Sequence, residues 1–96
     1  MNEPVRSILY LSRKDVEACG PSMDLIITLL EIAFRDKGEN RAQMPPKSDI
    51  HPRENCFVHA MPAFVPSLNA AGLKWIAGYP DNEERGLPYI NGLLIL

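Results

Sequence analysis

Cysteine is scarce in this sequence, and long apolar runs are missing from it. The two cysteines, Cys19 and Cys56, are too few for a disulfide framework and lack the Cys-x-x-Cys spacing of a redox or zinc site. No apolar stretch approaches the ~20 residues that a membrane-spanning helix needs. The N-terminus, with Glu3 and Pro4, does not have the pattern of a signal peptide. These absences predict a cytoplasmic protein that does not bind or span a membrane.

An excess of positive charge is also missing. The formal net charge is −2, and the lysines and arginines are scattered along the chain, which argues against nucleic acid as a partner. His51 and His59 lack the spacing of metal ligands, so no metal site is predicted. The glycine-rich motifs of nucleotide binding and the Gly-x-Ser-x-Gly motif of hydrolases do not occur.

The composition that remains is ordinary for a globular domain. Of the 96 residues, 46% are hydrophobic and 23% are charged, which argues against disorder. A chain of this length makes at most one small domain and buries only ~60–65% of the surface that its unfolded form exposes. We therefore expect one domain of marginal stability.

Two helices are predicted in the N-terminal half. Ser12 precedes a helix of one or two turns over residues 13–18, and Asp15 is its capping-box partner. A long helix is predicted over residues 22–37, with Gly38 as the glycine that follows its last turn. Because this long helix is apolar around most of its circumference, it predicts packing partners on more than one side.

Strands account for most of the remaining chain. The β-propensities and the bounding prolines and glycines predict strands over residues 7–11, 56–62 (ended by Pro62), 70–78 and 89–96, and an extended arm or edge strand over 44–49. The order of elements predicts an α+β fold. We expect a mixed or antiparallel sheet of about four to five strands, packed with one long helix and one short helix.

Lys74 is the first candidate for a functional side chain, because it lies inside an otherwise apolar strand. Alternation along the strand directs Lys74 to the same face as Gly72 and Ile76. A glycine in a strand often marks the close approach of a ligand or of another backbone. A lysine in such a place is suited to bind an anion or to transfer a proton. The alternative is a solvent-facing lysine whose stem lies along Ile76.

Lys47 is the second candidate. Pro45 and Pro46 precede it and restrict the backbone, so its charge is positioned at a small cost in chain entropy. The alternative is an ordinary exposed lysine in a loop. Arg53 is a weaker candidate, and Cys56 is most simply interpreted as a small core residue.

Several segments, in this order, resemble the ornithine cyclodeaminase/mu-crystallin family. They are "ILYLSRKDVE", the "MPPK" arm, the "HAMPAF" strand and the final "GLKWIAGYPDNEERGLPYINGLLIL". The last of these resembles a family segment in which a Gly-x-Lys strand is followed by a Pro-x-Asn turn, a Gly-Leu-Pro and another apolar strand. The resemblance covers essentially the whole chain, and the ordered set is much more specific than any one piece.

The resemblance implies a two-domain enzyme that uses NAD(P). Family members include ornithine and lysine cyclodeaminases, alanine dehydrogenase and ketimine reductases. By this resemblance, residues 1–96 are the N-terminal part of a substrate-binding and dimerisation domain, and a Rossmann domain that binds NAD(P) lies beyond residue 96. The expected substrate is a small amino acid or a cyclic imino acid, and the expected assembly is a homodimer formed through the sheet. The fragment alone is expected to be inactive.

The resemblance also implies roles for four side chains. Lys74 corresponds to the family's strand lysine, which contacts the substrate near its carboxylate and handles protons at the reacting carbon. Lys47 falls where the family has an arginine or lysine that pairs with the substrate carboxylate. Met61 lies at the pocket wall in relatives, and Asn82 matches a turn asparagine of structural or functional role.

One alternative function belongs to a different class. The family includes a crystallin-type member known chiefly for hormone binding, so the chain could be a ligand-binding and dimerisation module without catalysis. An exposed apolar strand over residues 89–96 would favour pairing with a second chain.

Overall fold

The computed structural model describes residues 4–96. Helix α1 and helix α2 precede a sheet of four strands, and short 3₁₀ turns follow β2 and β3. The bounds are Arg13–Cys19 for α1, Met23–Gly38 for α2, Ser48–Ile50 for β1, Phe57–Val65 for β2, Ala70–Gly78 for β3 and Ile90–Ile95 for β4, with 3₁₀ turns over Pro66–Leu68 and Pro80–Arg85. The strands pair antiparallel in the order β1-β2-β3-β4. The predicted α+β class is confirmed.

The centre of the sheet is the long hairpin of β2 and β3. Their register runs from Phe57 opposite Gly78 to Val65 opposite Ala70. The connecting turn ends at Asn69, whose φ of 47° lies in the left-handed region that asparagine adopts more readily than most residues. The short side chain of Asn69 thus allows the turn that sets the register.

Strand β2 continues through Pro62, where the sequence predicted that it would end. The N–H of Phe64 donates to the Gln43 carbonyl at 2.8 Å, on the side of β2 away from β3. N–H groups two residues apart on a strand point the same way, so the N–H that Pro62 lacks would also have faced that side. No bond to β3 is lost, and the proline is tolerated.

Residues 7–11 do not form the predicted strand. They have no regular secondary structure, and Ile8 is 95% exposed. A strand needs a neighbour to satisfy its backbone groups, and within the described residues 4–96 none pairs with this segment.

Helix α1 begins after its predicted cap, and α2 begins one residue after Ser22, where the sequence predicted its start. Ser12 and Asp15 form the complete capping box of α1, and the two hydrogen bonds from Ser12 hold the pKa of Asp15 below its ordinary value. The side chain of Ser22 accepts the Leu25 N–H at the start of α2. At the other end, Gly38 is the last residue of α2, whereas the sequence predicted that it would follow the last turn. The left-handed residue is Asn40, with φ 59°.

Asp36 connects α2 to the turn between β2 and β3. The Asp36 side chain is fully buried. Its carboxylate accepts the Ser67 hydroxyl at 2.6 Å, the Ser67 N–H at 2.8 Å and the Arg41 guanidinium at 2.7 Å. The hydrogen bonds from Ser67, together with Arg41, outweigh desolvation and hold the pKa of Asp36 below its ordinary value. This carboxylate therefore anchors the C-terminal half of α2 to the hairpin.

Little apolar surface is buried among the described residues. The buried hydrophobic side chains are Cys56 and Val58, so the interpretation of Cys56 as a core residue is confirmed. Helix α2 contacts β2 and the turn after it, and its apolar face stays largely exposed at Met23, Leu25, Ile27, Leu30 and Phe34. No helix within residues 4–96 is long and apolar enough to cross a membrane.

We expect Asp36→Asn to lower the melting temperature by roughly 5 °C or more, because the buried carboxylate loses its charge toward Arg41 and part of its acceptor capacity. The pKa of Asp36 is lower in the folded than in the unfolded state, so its stabilisation is present above the unfolded pKa of ~3.9 and is lost as the pH falls through the folded pKa. Thermal unfolding of both proteins at neutral and at acid pH measures this. Equal melting temperatures at neutral pH would contradict the role of Asp36.

Candidate functional site

Lys74 lies in one row of side chains that crosses the sheet. It is paired with Met61 on β2 and with Leu94 on β4. On the other side of β2, β1 begins at Ser48, which pairs with Ala60, and Lys47 directly precedes it at the same cleft as Met61. Neighbouring strands are ~4.8 Å apart, which separates the Cα atoms of Lys47 and Lys74 by about 10 Å. Met61 lies between the two lysines on one face of the sheet.

A cleft of about 620 Å³ lies over this row. Its lining brings together the three side chains that the sequence assigned to the substrate, namely Lys47, Met61 and Lys74, whereas Arg53 and Asn82 lie outside it. The rest of the lining is apolar and consists of Met44, Pro45, Pro46, Pro62, Ala63, Val65, Ala70, Ala71, Gly72, Leu94 and Leu96. The two ammonium groups are thus the charged groups of an otherwise apolar cleft, which is a suitable arrangement for a small anion with an apolar body.

Neither lysine is paired with an acid in the described part of the chain. The ion pairs there are formed by Arg13, Arg41, Arg53, Arg85, His51 and His59. Both lysines are exposed to solvent, so the alternative of a solvent-facing Lys74 describes its exposure correctly. That alternative did not include the second cation, Lys47, or the cleft that both lysines line.

The space beside the glycines of β3 is filled by other atoms of the same chain. A Cβ on Gly72 would lie 3.1 Å from the Ile95 carbonyl oxygen and 3.2 Å from Leu96, and the Phe57 ring occupies the place of a side chain on Gly78. The expectation that another backbone approaches is met at Gly72. At Gly78 the neighbour is an aromatic ring.

The sequence interpretation missed a second row, next to the lysines. Asp49 is opposite His59, and its carboxylate contacts Nε2 of His59 at 2.8 Å and Nε2 of His51 at 2.9 Å. The His59 ring stacks on Phe57 with centroids 4.5 Å apart. Alternation over 47, 49 and 51 places these side chains on one face. That alternation was visible in the sequence, but the pairing with β2 was not.

Two turn residues have structural contacts. The amide of Asn82 donates to the Pro88 carbonyl at 3.2 Å and so closes the turn after β3. The Arg53 guanidinium contacts Asp81 at 3.1 Å and lies over the Tyr79 ring. Within residues 4–96, no group of histidine, cysteine, aspartate and glutamate side chains is arranged to hold a metal ion.

Comparison of the sequence with known proteins gives a family. The sequence model of the ornithine cyclodeaminase/mu-crystallin family matches residues 8–96. The chain is 45% identical over 96 residues to the nodulation efficiency protein NfeD of Rhizobium meliloti, and it spans 29% of that protein. It is 40% identical over 88 residues to the alanine dehydrogenase of Archaeoglobus fulgidus, and covers 26% of its length.

Comparison of the fold gives related enzymes. An archaeal alanine dehydrogenase dimer with bound NAD superposes with a TM-score of 0.74 at 38% identity, over 85% of this chain and 24% of that one. The Δ¹-pyrroline-2-carboxylate reductase of Thermococcus litoralis, in complex with NADH and L-proline, gives a TM-score of 0.79 at 31% identity, over 91% and 27% of the two chains. The chain therefore spans about a quarter of each of these structures.

The two flanking lysines predict the effect of an acid at Met61. We expect Met61→Glu to be more stable than the uncharged control Met61→Gln by about 0.5 kcal/mol for each ion pair formed, and we expect high salt to remove the difference. Urea unfolding at low and high salt measures it. The gain should shrink when Lys74→Met is added. Equal stability of Met61→Glu and Met61→Gln at low salt would show that the lysines do not converge on this position.

Proposed function

Because the chain belongs to the ornithine cyclodeaminase/mu-crystallin family, we propose that it is the N-terminal part of the substrate domain of an NAD(P)-dependent enzyme. The proposed substrate is a small amino acid or a cyclic imino acid. The observation that carries the proposal is the cleft of about 620 Å³, in which Lys47 and Lys74 are the charged lining residues.

The lysines suit the α-carboxylate of such a substrate. A carboxylate above Met61 would be within reach of both ammonium groups, and each charge-assisted hydrogen bond contributes about 1.5–3 kcal/mol. Ammonium groups are compact charges without the fork of a guanidinium, so they attract a carboxylate but constrain its orientation less than arginine would. The apolar lining is left for the body of the substrate.

Lys74 is also the proposed proton-transfer residue. It projects from the centre of the sheet, with β2 on one side and β4 on the other, so its backbone is fixed while its side chain is free. An amine held beside the carboxylate is close to the α-carbon, where a proton is lost or gained. We assign Lys74 as the catalytic residue and Lys47, Met61 and Lys74 as substrate-binding residues.

The dinucleotide is proposed to bind mainly outside these 96 residues. The sequence has no Gly-x-Gly-x-x-Gly motif, and the described residues do not offer the strand-to-helix turn that cradles a pyrophosphate. The relatives described as NAD or NADH complexes are about four times as long as the matching region. When bound, the dinucleotide would supply hydride chemistry at the α-carbon.

A second function is favoured by the exposed edge of the sheet. Strand β4 is the last strand, and Leu93, Leu94, Ile95 and Leu96 are all exposed. An apolar edge of this kind pairs readily with another chain, so a homodimer formed through the sheet is proposed. If the whole protein only binds ligand and dimerises, it is a non-catalytic module. Assaying it for formation or consumption of NAD(P)H with alanine, proline, ornithine and cyclic imino acids separates the two functions.

We expect Lys74→Met to lower kcat/KM of the whole protein by at least about 100-fold, because the proton-transfer group and one carboxylate contact are both removed. Methionine keeps the length and apolar stem of lysine, so the far-UV circular dichroism spectrum should not change. The matched control is Lys14→Met on α1, which should behave as wild type. Full activity of Lys74→Met would exclude Lys74 from catalysis.

Lys47 should act on binding more than on chemistry. We expect Lys47→Met to raise KM about tenfold or more, which corresponds to the loss of one charge-assisted hydrogen bond, while kcat changes much less. Lys47→Arg should keep KM near the wild-type value, since its charge remains. Steady-state kinetics of the two variants test this. A loss in Lys47→Arg as large as that in Lys47→Met would indicate that charge at residue 47 is not what matters.

A further inference from the structure

The arm that carries Lys47 is attached to the sheet at two separate points. At one end, Gln43 and Phe64 exchange backbone hydrogen bonds of 2.9 and 2.8 Å. At the other end, β1 pairs with β2 over three residues. Between these points, Pro45, Pro46 and Pro62 have no N–H to donate, so the backbone ladder is interrupted beside Lys47.

Asp49 fixes the second attachment through its side chain. Its Oδ2 is hydrogen-bonded to Nε2 of His51 at 2.9 Å, and its Oδ1 lies 2.8 Å from Nε2 of His59 on β2, so one histidine contacts each oxygen. Asp49 lies two residues from Lys47 on the same face, and it is the acid whose charge Lys47 influences. The ion pairs of the described residues do not include one between this carboxylate and Lys47; its two oxygens contact the histidines instead.

His51 is bonded to two acceptors at once. Its Nδ1 is 2.8 Å from the Cys56 carbonyl oxygen, and its Nε2 is 2.9 Å from the Asp49 carboxylate. A neutral imidazole has one N–H, whereas an imidazolium has two. A carbonyl oxygen cannot donate, and the pKa of Asp49 is held low: desolvation raises it, but the hydrogen bond and charge of His51 and the charges of His59 and Lys47 outweigh desolvation. Both bonds therefore require the protonated form of His51.

We propose that protonated His51, together with Asp49 and His59, is a positioning cluster that holds Lys47 at the cleft and keeps it free for the substrate carboxylate. The cluster touches neither the substrate nor the reacting atoms. This inference rests on the function proposed above and adds residues that act through Lys47. It also predicts that substrate binding depends on the protonation of His51.

The direction of that dependence follows from the contacts. The Cys56 carbonyl and the Asp49 carboxylate raise the pKa of His51 above its ordinary value. The bridge is therefore complete below the unfolded pKa of ~6.5 and is lost as the pH rises through the higher folded pKa. The other titratable groups nearby are Lys47 and His59, while Arg53 in the same loop is paired with Asp81. KM for the carboxylate substrate should rise with pH over this range.

The first experiment compares His51→Asn with the wild-type whole protein. Below pH ~6.5 we expect the KM of His51→Asn to be about fivefold higher than that of wild type, because the variant loses one hydrogen bond that positions the arm. Its kcat should stay within about twofold of the wild-type value. In wild type KM should rise with pH, and in the variant this rise should be much smaller. Asp49→Asn should raise KM similarly, and Arg13→Gln, which removes an exposed ion pair on α1, should change neither parameter.

The second experiment needs no variant and remains decisive if His51→Asn fails to fold. Long-range ¹H–¹⁵N correlation spectra of the histidine rings report the protonation of each nitrogen. We expect both nitrogens of His51 to carry protons at about pH 6 and to titrate above the ordinary histidine value. A single neutral tautomer at that pH would overturn the inference, as would an unchanged KM and pH profile in His51→Asn. If Lys47→Met also leaves KM unchanged, the proposed function fails as well, which distinguishes the two failures.

Discussion

The register of the β2–β3 hairpin is the constraint on which the rest of this structure depends. Met61 faces Lys74 only because Val65 pairs with Ala70 across the turn. A slip of one residue would turn every side chain of one strand to the opposite face. Lys74 would then leave the cleft, while Met61 and Lys47 stayed. The turn at Asn69 and the bonds from Ser67 to Asp36 both fix this register, so the helix contributes to the site without touching it.

The two lysines make a site because their repulsion is weak and their attraction for an anion is strong. Two unit charges 10 Å apart repel by about 0.4 kcal/mol in water and about 1.7 kcal/mol at an effective dielectric constant of 20. An anion midway between them, about 5 Å from each, would gain about 3.3 kcal/mol per contact at that same constant. The apolar lining lowers the dielectric constant only after a ligand has displaced water. The empty cleft therefore tolerates two like charges, and the filled cleft uses them.

The sequence predicted the local features of this fold better than its contacts. Alternation along residues 70–78 placed Lys74 on the correct face, the cap at Ser12 was correct and the start of α2 was predicted to within one residue, because these features depend on neighbours along the chain. The strand at 7–11 was wrong and β2 ran past Pro62, because both outcomes depend on which strand lies alongside. Met61 was selected by family resemblance and Lys47 first by the two prolines before it, and only the tertiary structure brings them to one cleft with Lys74. Their catalytic and binding roles stay predictions.

Asp49, His51 and His59 show what neither alternation nor resemblance supplies. Each residue taken alone is an ordinary polar side chain of a loop or a strand, and the histidines lack metal-ligand spacing. Their meaning comes from the acceptors around His51: a carbonyl on one side and a carboxylate on the other. Only a tertiary structure reveals that pair of acceptors. Because both ring nitrogens must donate to them, the ring must carry two protons. Because β1 is only three residues long, few backbone bonds hold the arm of Lys47. Its position thus depends on side-chain bonds of His51 and Asp49, so the protonation of His51 affects Lys47.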